Sequence, residues 1–389
     1  MNAGVISIAV FWFLYMAGLG VIFPYLSLYF QEHVGLSGTQ LGVALAMHPL
    51  MGIFVSPLWG QWADRTGQRR GALCLLAIGA AAGYLVVPHA TSFFSLLLCL
   101  AFLSAFTAPP MAVASSITFA VLGKGGAARF GRVRVWGTIG YLIMIISFPW
   151  IHGDDNGLEI IFPIAALMCL GAAFTLVRVP SSNAISVRAN REDLHALLKQ
   201  NSYLRLLVIA FFSFGLLTAP IALFPVFVTE RGGSVETVSR LWIPMLLLEI
   251  PLIYYAGAGL RRVGARGLIA AGIALDGLRW VITIAAPSLI WIFGIQLLHG
   301  AVVVGLIVGM QLYVEGEVPE QLRATGQTVL STVMSIGAVL SHLWGGTALE
   351  QFGVDAPYLI AGPLSVGLGI AAWFYLHPQV KVAADSGET

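Results

Sequence analysis

Charge is what this sequence has least of. Only 10% of its 389 residues are Asp, Glu, Lys or Arg, and 58% are hydrophobic, whereas soluble globular domains carry about a quarter charged residues. A soluble fold of this size is excluded. Cysteine is scarce too. Cys74, Cys99 and Cys169 each lie inside an apolar run, without the spacing of a disulfide framework or a zinc site, and read as small buried hydrophobes. The net charge is only +2 and the basic residues are scattered among loops, which argues against a nucleic-acid partner. The alternation of apolar and polar residues over about ten positions that marks barrel strands is missing, since runs such as Leu73 to Val87 are apolar throughout. Neither a phosphate-binding loop nor the spacing of a catalytic triad is present, so no nucleotide, cofactor, metal or enzymatic activity is implied.

What the sequence does have is long apolar runs. A bilayer-crossing helix takes about 20 predominantly apolar residues, and stretches bounded by charges or turn residues predict helices near 5–30, 40–62, 71–88, 93–121, 135–151, 160–177, 205–229, 240–259, 267–286, 289–313, 324–349 and 357–377. The first run is too long for a signal-peptide core and has no basic flank, so it is expected to remain as a helix. Apart from Arg279, which is inside a run, and Arg231 and Arg240, every lysine and arginine falls on one side of this layout. The positive-inside bias makes that side cytoplasmic, together with both termini. The polar connection from Arg178 to Asn201 divides the chain into a six-helix bundle over 1–177, a cytoplasmic linker over 178–204, a second bundle over 205–377 and a tail over 378–389. An internal repeat supports two halves: Gly60, Arg65, Gly67 and Arg69 recur at one offset as Gly257, Arg262, Gly264 and Arg266, and Phe23-Pro24 is echoed by Phe224-Pro225. The fold class is therefore an all-α membrane protein of twelve transmembrane helices in two pseudo-symmetric bundles, the plan of a secondary transporter.

Residues Gly60 to Arg70 read GQWADRTGQRR. This fits the GxxxDRxGxR loop motif, and with twelve spans and the offset copy the whole chain resembles the major facilitator superfamily. The resemblance implies a gating loop of Gly60, Asp64, Arg65, Gly67 and Arg69, with Asp64 paired to arginines and facing the amino end of the eleventh helix, around Arg323 to Thr325, as a cytoplasmic latch. The second copy has Arg261 where Asp64 stands, so one latch is expected. Phe130 to Gly137 (FGRVRVWG), Glu249, Arg279-Trp280 and Gln296-Leu-Leu-His299-Gly300 resemble the phenylpropionate permease branch, which is related to the lactose permease and nucleoside symporters. Asp276 is outside that pattern. The glycine-proline motif of many drug antiporters is missing from Trp136 to Trp150, so import by symport is favoured over export.

Ionisable side chains at the bilayer centre cost about 2.5 to 3.5 kcal/mol each on insertion scales and are functional candidates by default. Glu249, Asp276, Arg279 and His299 share a depth roughly 10 to 15 Å below the outer surface, counted at 1.5 Å per residue. Asp276 and Arg279 are three apart and can pair on one helix face. The pair is either packing glue or part of a binding site, in which the guanidinium fork suits a carboxylate or a pair of hydroxyls. With His299 neutral the cluster sums to −1, so one proton would neutralise it. Glu249, Asp276 and His299 are the proton-coupling candidates. Arg279, Trp280, Gln296, Trp12 and Tyr15 are the solute-binding candidates, the rings being read as a stacking wall or as ordinary packing. His48 and His342 have no evident partner in the sequence. These residues imply a carrier for a small organic solute and protons, monomeric and embedded in the inner membrane lipid bilayer. A small aromatic acid is the first expectation and a neutral sugar or nucleoside the alternative, since Asp276 weakens the pull of Arg279 on an anion. A proton-driven exporter or a non-transporting sensor are further alternatives.

Overall fold

The computed structural model describes residues 3–123, 126–153, 157–179, 194–195 and 197–378, without the side chains of 64, 126–128, 253–261, 320 and 324. Most of the expected linker and tail, and the Asp64 side chain of the expected latch, lie outside the described residues. Among those described there is no strand, and eleven helices are long and apolar enough to cross a membrane. The remaining expected span, the eighth, is built from Val235–Leu247 and the opening part of Glu249–Ala285. The protein is an all-α integral membrane protein consistent with twelve spans.

Several spans are interrupted, three of them where the sequence removes a backbone donor. The eighth breaks at Leu248, where the ring nitrogen of Pro251 has no hydrogen to offer the Leu247 carbonyl. The fourth divides into Phe93–Thr107 and Pro110–Leu122 across Pro109. The first ends at Ile22, next to Pro24, and resumes as Leu26–Leu28 and a π-helical turn over Tyr29–His33. The tenth is made of Leu289–Ile295, Leu298–Val303, a π-helical turn Val304–Val308 and Gly309–Glu317.

Two of the boundaries that differ from the sequence expectation bear on its motifs. The second helix runs on to Thr66 and is closed by Gly67 in the left-handed region, φ 66°, so the motif expected as a loop is mostly helical. Glycine reaches that conformation without the penalty a Cβ would bring. The fifth helix starts at Gly126 and not near 135, because helical hydrogen bonding continues through its arginines, whose long stems permit burial of the chain and exposure of the charge.

The chain packs as two compact units. One comprises Met1–Val187, Thr218–Ile243 and Ala338–Pro357; the other comprises Arg188–Leu217, Pro244–Gly337 and Tyr358–Thr389. In the first, helices approach through small residues, as bilayer helices must when lipid offers no hydrophobic drive for association: a Cβ at Gly20 would lie 2.7 Å from the Tyr141 carbonyl oxygen. In the second, Tyr203, Leu206, Ile269, Met310, Tyr313 and Leu330 form a buried core, and the Tyr203 hydroxyl donates to the Gly326 carbonyl at 2.6 Å.

Candidate solute and proton site

The second unit contains a buried polar cluster. In the ninth span, which follows the Gly264 break (φ 71°, ψ 170°), Asp276 is nine residues before Ala285 and so about 14 Å below that end of the helix. Arg279 Nη2 donates to Asp276 Oδ1 at 2.9 Å, with the two residues 0% and 2% exposed. Arg279 Nη1 donates to Gln296 Oε1 at 3.1 Å and approaches His299 Nδ1 at 3.0 Å. Since a guanidinium can only donate, His299 Nδ1 is the acceptor and its proton is on Nε2. The Arg279 Cζ lies 3.9 Å from the Trp280 ring centroid, and Trp280 packs on Tyr358 of the twelfth span, centroids 5.1 Å apart. Thr283 caps the arrangement by donating to the Arg279 carbonyl at 2.8 Å.

Helix breaks place the other members. Gln296 and His299 flank the interruption of the tenth span, and Glu249 opens a helix after the Leu248 break in the eighth. Gly300 brings these two interruptions together: a Cβ there would lie 2.7 Å from the Glu249 nitrogen, a separation only glycine allows. Glu249 is half-buried. Discontinuous helices that meet at mid-membrane are how transporters place polar groups where continuous helices would hide them. Among the described residues, Arg279 Nε and Gln296 Nε2 are buried donors with no hydrogen-bond partner. Both call for an acceptor, because a buried unmade hydrogen bond costs about 1 to 3 kcal/mol.

Trp12 and Tyr15 belong to the first unit. Trp12 Nε1 donates to Thr118 Oγ1 at 3.0 Å and the Tyr15 hydroxyl donates to the Thr107 carbonyl at 3.2 Å, beside the break in the fourth span; both rings are buried. The sequence did not reveal their neighbour Arg134. It was expected at the cytoplasmic boundary, but it sits eight residues inside the fifth helix, half-buried, its Cζ 4.6 Å from the Trp12 ring centroid. The signal was present in the FGRVRVWG stretch and was lost through the misplaced helix start. Tyr358 and Thr283 had no sequence signal. His48 Nδ1 is 3.4 Å from Thr107 Oγ1, and His342 is buried.

The first unit also shows a closed seam. Gly38 and Gly42 of the second span lie against Gly346 and Glu350 of the eleventh: a Cβ on Gly346 would meet the Gly42 Cα at 2.6 Å, and one on Gly38 the Glu350 nitrogen at 2.7 Å. Glu350 Oε2 accepts from Thr39 N at 2.7 Å and Ser37 Oγ at 2.9 Å, placing a carboxylate at the positive end of the second helix. Tyr25 bonds Ser239, Phe23 packs edge-on to Trp242, and Arg231 pairs with Asp355 at 2.9 Å. In the GQWADRTGQRR segment, Gly60 is surrounded by open space, Arg65 is exposed, Arg69 is buried, and Arg70 Nη1 donates to the Val179 carbonyl at 3.0 Å.

The sequence signature of the MFS_1 like family matches residues 5–360. The chain belongs to this family of the major facilitator superfamily. Among curated relatives, it is 28% identical to the maltose permease of Geobacillus stearothermophilus over 96% of this chain and 95% of that one. It is 25% identical to the uncharacterized transporter YwbF of Bacillus subtilis (strain 168), over 94% and 91%. The crystal structure of the nucleoside transporter NupG superposes with a TM-score of 0.85 at 16% identity, covering 97% of this chain and all of that one; that likeness is one of fold.

Proposed function

We propose that this chain is a proton-coupled symporter that imports a small neutral polyhydroxylated solute, of the sugar or nucleoside class, across the plasma membrane. Both termini are cytoplasmic in this reading, with six-helix bundles over 1–177 and 205–377. The observation that carries it is the state of Arg279. Its charge is balanced by Asp276 at 2.9 Å, so it offers no net attraction to an anion, while Arg279 Nε and Gln296 Nε2 remain as donors for oxygen acceptors. Hydroxyl oxygens satisfy such donors without adding a charge to the membrane interior. An aromatic acid, the alternative suggested by the sequence branch, would bring a second anion to a guanidinium already neutralised. The names of the maltose permease and the nucleoside transporter point the same way.

Coupling follows from charge counting. With Glu249 and Asp276 ionised and Arg279 cationic the cluster carries −1, and one proton brings it to zero, the condition under which a loaded carrier crosses the low-dielectric interior at least cost. Glu249 carries that proton. His299 Nδ1 stays an acceptor for Arg279 Nη1, 3.0 Å away, and positions the guanidinium for the solute. The glycine seam between the second and eleventh spans closes the outer side, and Gly60, Asp64, Arg65, Gly67 and Arg69 form the cytoplasmic gate.

Reconstitution tests this. In proteoliposomes with an imposed proton gradient, maltose or a nucleoside should accumulate and dissipate with an ionophore, and a phenylpropanoid acid should not compete. Glu249→Gln should abolish accumulation and retain counterflow exchange. Accumulation by Glu249→Gln with loss in Asp276→Asn would move the proton to the ninth helix, and uptake of the aromatic acid alone would remove the neutral-solute reading.

A further inference from the structure

The second unit holds a groove of about 420 Å³ between the ninth and twelfth spans, lined entirely by apolar residues that include Val263, Gly267, Ala271, Gly369, Ile370 and Trp373. Its floor exists because small residues let the two helices touch: a Cβ at Gly369 would lie 2.6 Å from the Ala274 nitrogen. Toward the ends of these helices near Gly264 and Tyr375 the rings of Trp373 and Phe374 stand on one wall, facing the glycine and alanine of the other.

Cations sit at that end. Val263 and Gly267 both line the groove, and each is preceded in sequence by an arginine, Arg262 and Arg266, one on either side of the Gly264 break. The Arg266 guanidinium lies 4.5 Å from the Trp373 ring centroid, which holds it against the groove wall, and Arg262 is exposed. Among the described residues neither makes an ion pair. The Tyr375 carbonyl at the end of the twelfth helix does not draw on them, since Arg205 Nη1 donates to it at 3.3 Å.

We infer that this groove binds one anionic glycerophospholipid, an acyl chain lying along Gly267, Ala271 and Gly369 and the phosphate on Arg262 and Arg266. A basic pocket between helices at the cytoplasmic boundary is the arrangement that selects anionic headgroups, and the orientation proposed above places it there. A partner helix is about 10 to 12 Å across with its side chains and would rest on Phe374, which projects at 79% exposure, without entering. The inference is independent of what the carrier transports.

Native mass spectrometry of the purified full chain, titrated with phosphatidylglycerol or phosphatidylcholine, tests it. Each arginine near the headgroup contributes about fivefold to anionic lipid affinity, so the pair gives roughly 30-fold preference for phosphatidylglycerol. Arg262→Gln with Arg266→Gln should equalise the two lipids, and the matching lysine pair should keep the preference, which shows that charge and not misfolding is responsible. Ala271→Phe, at an exposed position, should fill the groove and lower retention of the tightly held lipid with both arginines intact. Equal binding of the two lipids by the parent chain, or an unchanged preference in the double glutamine variant, overturns the inference. So does unaltered retention in Ala271→Phe, or a dimer of the parent chain that Ala271→Phe dissociates, since the occupant would then be a second copy.

Discussion

The Asp276–Arg279 pair makes a prediction about stability that is asymmetric in its two partners. Both side chains are sealed from solvent, at 2% and 0% exposure, with a 2.9 Å contact. Removing one member of such a pair leaves a charge with no water to solvate it, which costs about 3 to 5 kcal/mol and shifts the folded population by roughly a hundredfold or more. Arg279→Gln leaves Asp276, which escapes the penalty by binding a proton. Asp276→Asn leaves Arg279, which cannot shed its proton in a protein. Stability of Arg279→Gln should therefore recover as pH falls, and the deficit of Asp276→Asn should be independent of pH. The double variant should cost much less than the sum of the two single losses, because neither charge is then left unpaired. Thermal unfolding of the detergent-purified protein, followed through tryptophan fluorescence in acidic and alkaline buffer, reads all four corners. Additive losses, or the same pH response in both single variants, would refute the account of the pair as one buried electrostatic unit.

Arg279→Lys should keep the charge balance and the fold but lose solute binding, because an ammonium cannot place donors on Asp276, Gln296 and the solute at once; solute-induced thermal stabilisation measures this. Gly300→Val should impair transport and stability together, since its Cβ would meet the Glu249 nitrogen at 2.7 Å, and proteoliposome uptake alongside a melting curve reports both. Gly346→Trp should prop open the seam, since a Cβ there would already meet the Gly42 Cα at 2.6 Å, increasing labelling by an impermeant thiol reagent of a cysteine introduced at the neighbouring half-buried Val43. Gly264→Ala should lower stability by about 1 to 3 kcal/mol, because alanine rarely adopts φ 71°, ψ 170°.

The sequence by itself determined the class and the all-helical architecture. Twelve apolar runs and 10% charge leave a chain no solvent but lipid, and in lipid a backbone without strand alternation has to satisfy its polar groups as helices. It also singled out Glu249, Asp276, Arg279, Gln296 and His299, because every ionisable or strongly polar group in a hydrocarbon layer is costly enough to stand out. Tertiary structure decided the partnerships. Spacing allowed the Asp276–Arg279 pair, but only the fold brings Gln296 and His299 from another helix to the same guanidinium and sets Gly300 against Glu249. Where helices break was half legible, through Pro251 and Pro109, and half not, since the interruption at Gln296 has no proline. The Arg134 stack on Trp12 and the Glu350 cap on the second helix depend on contacts 122 and 311 residues apart in sequence. No local pattern encodes such distances, because they are set by which helix faces which.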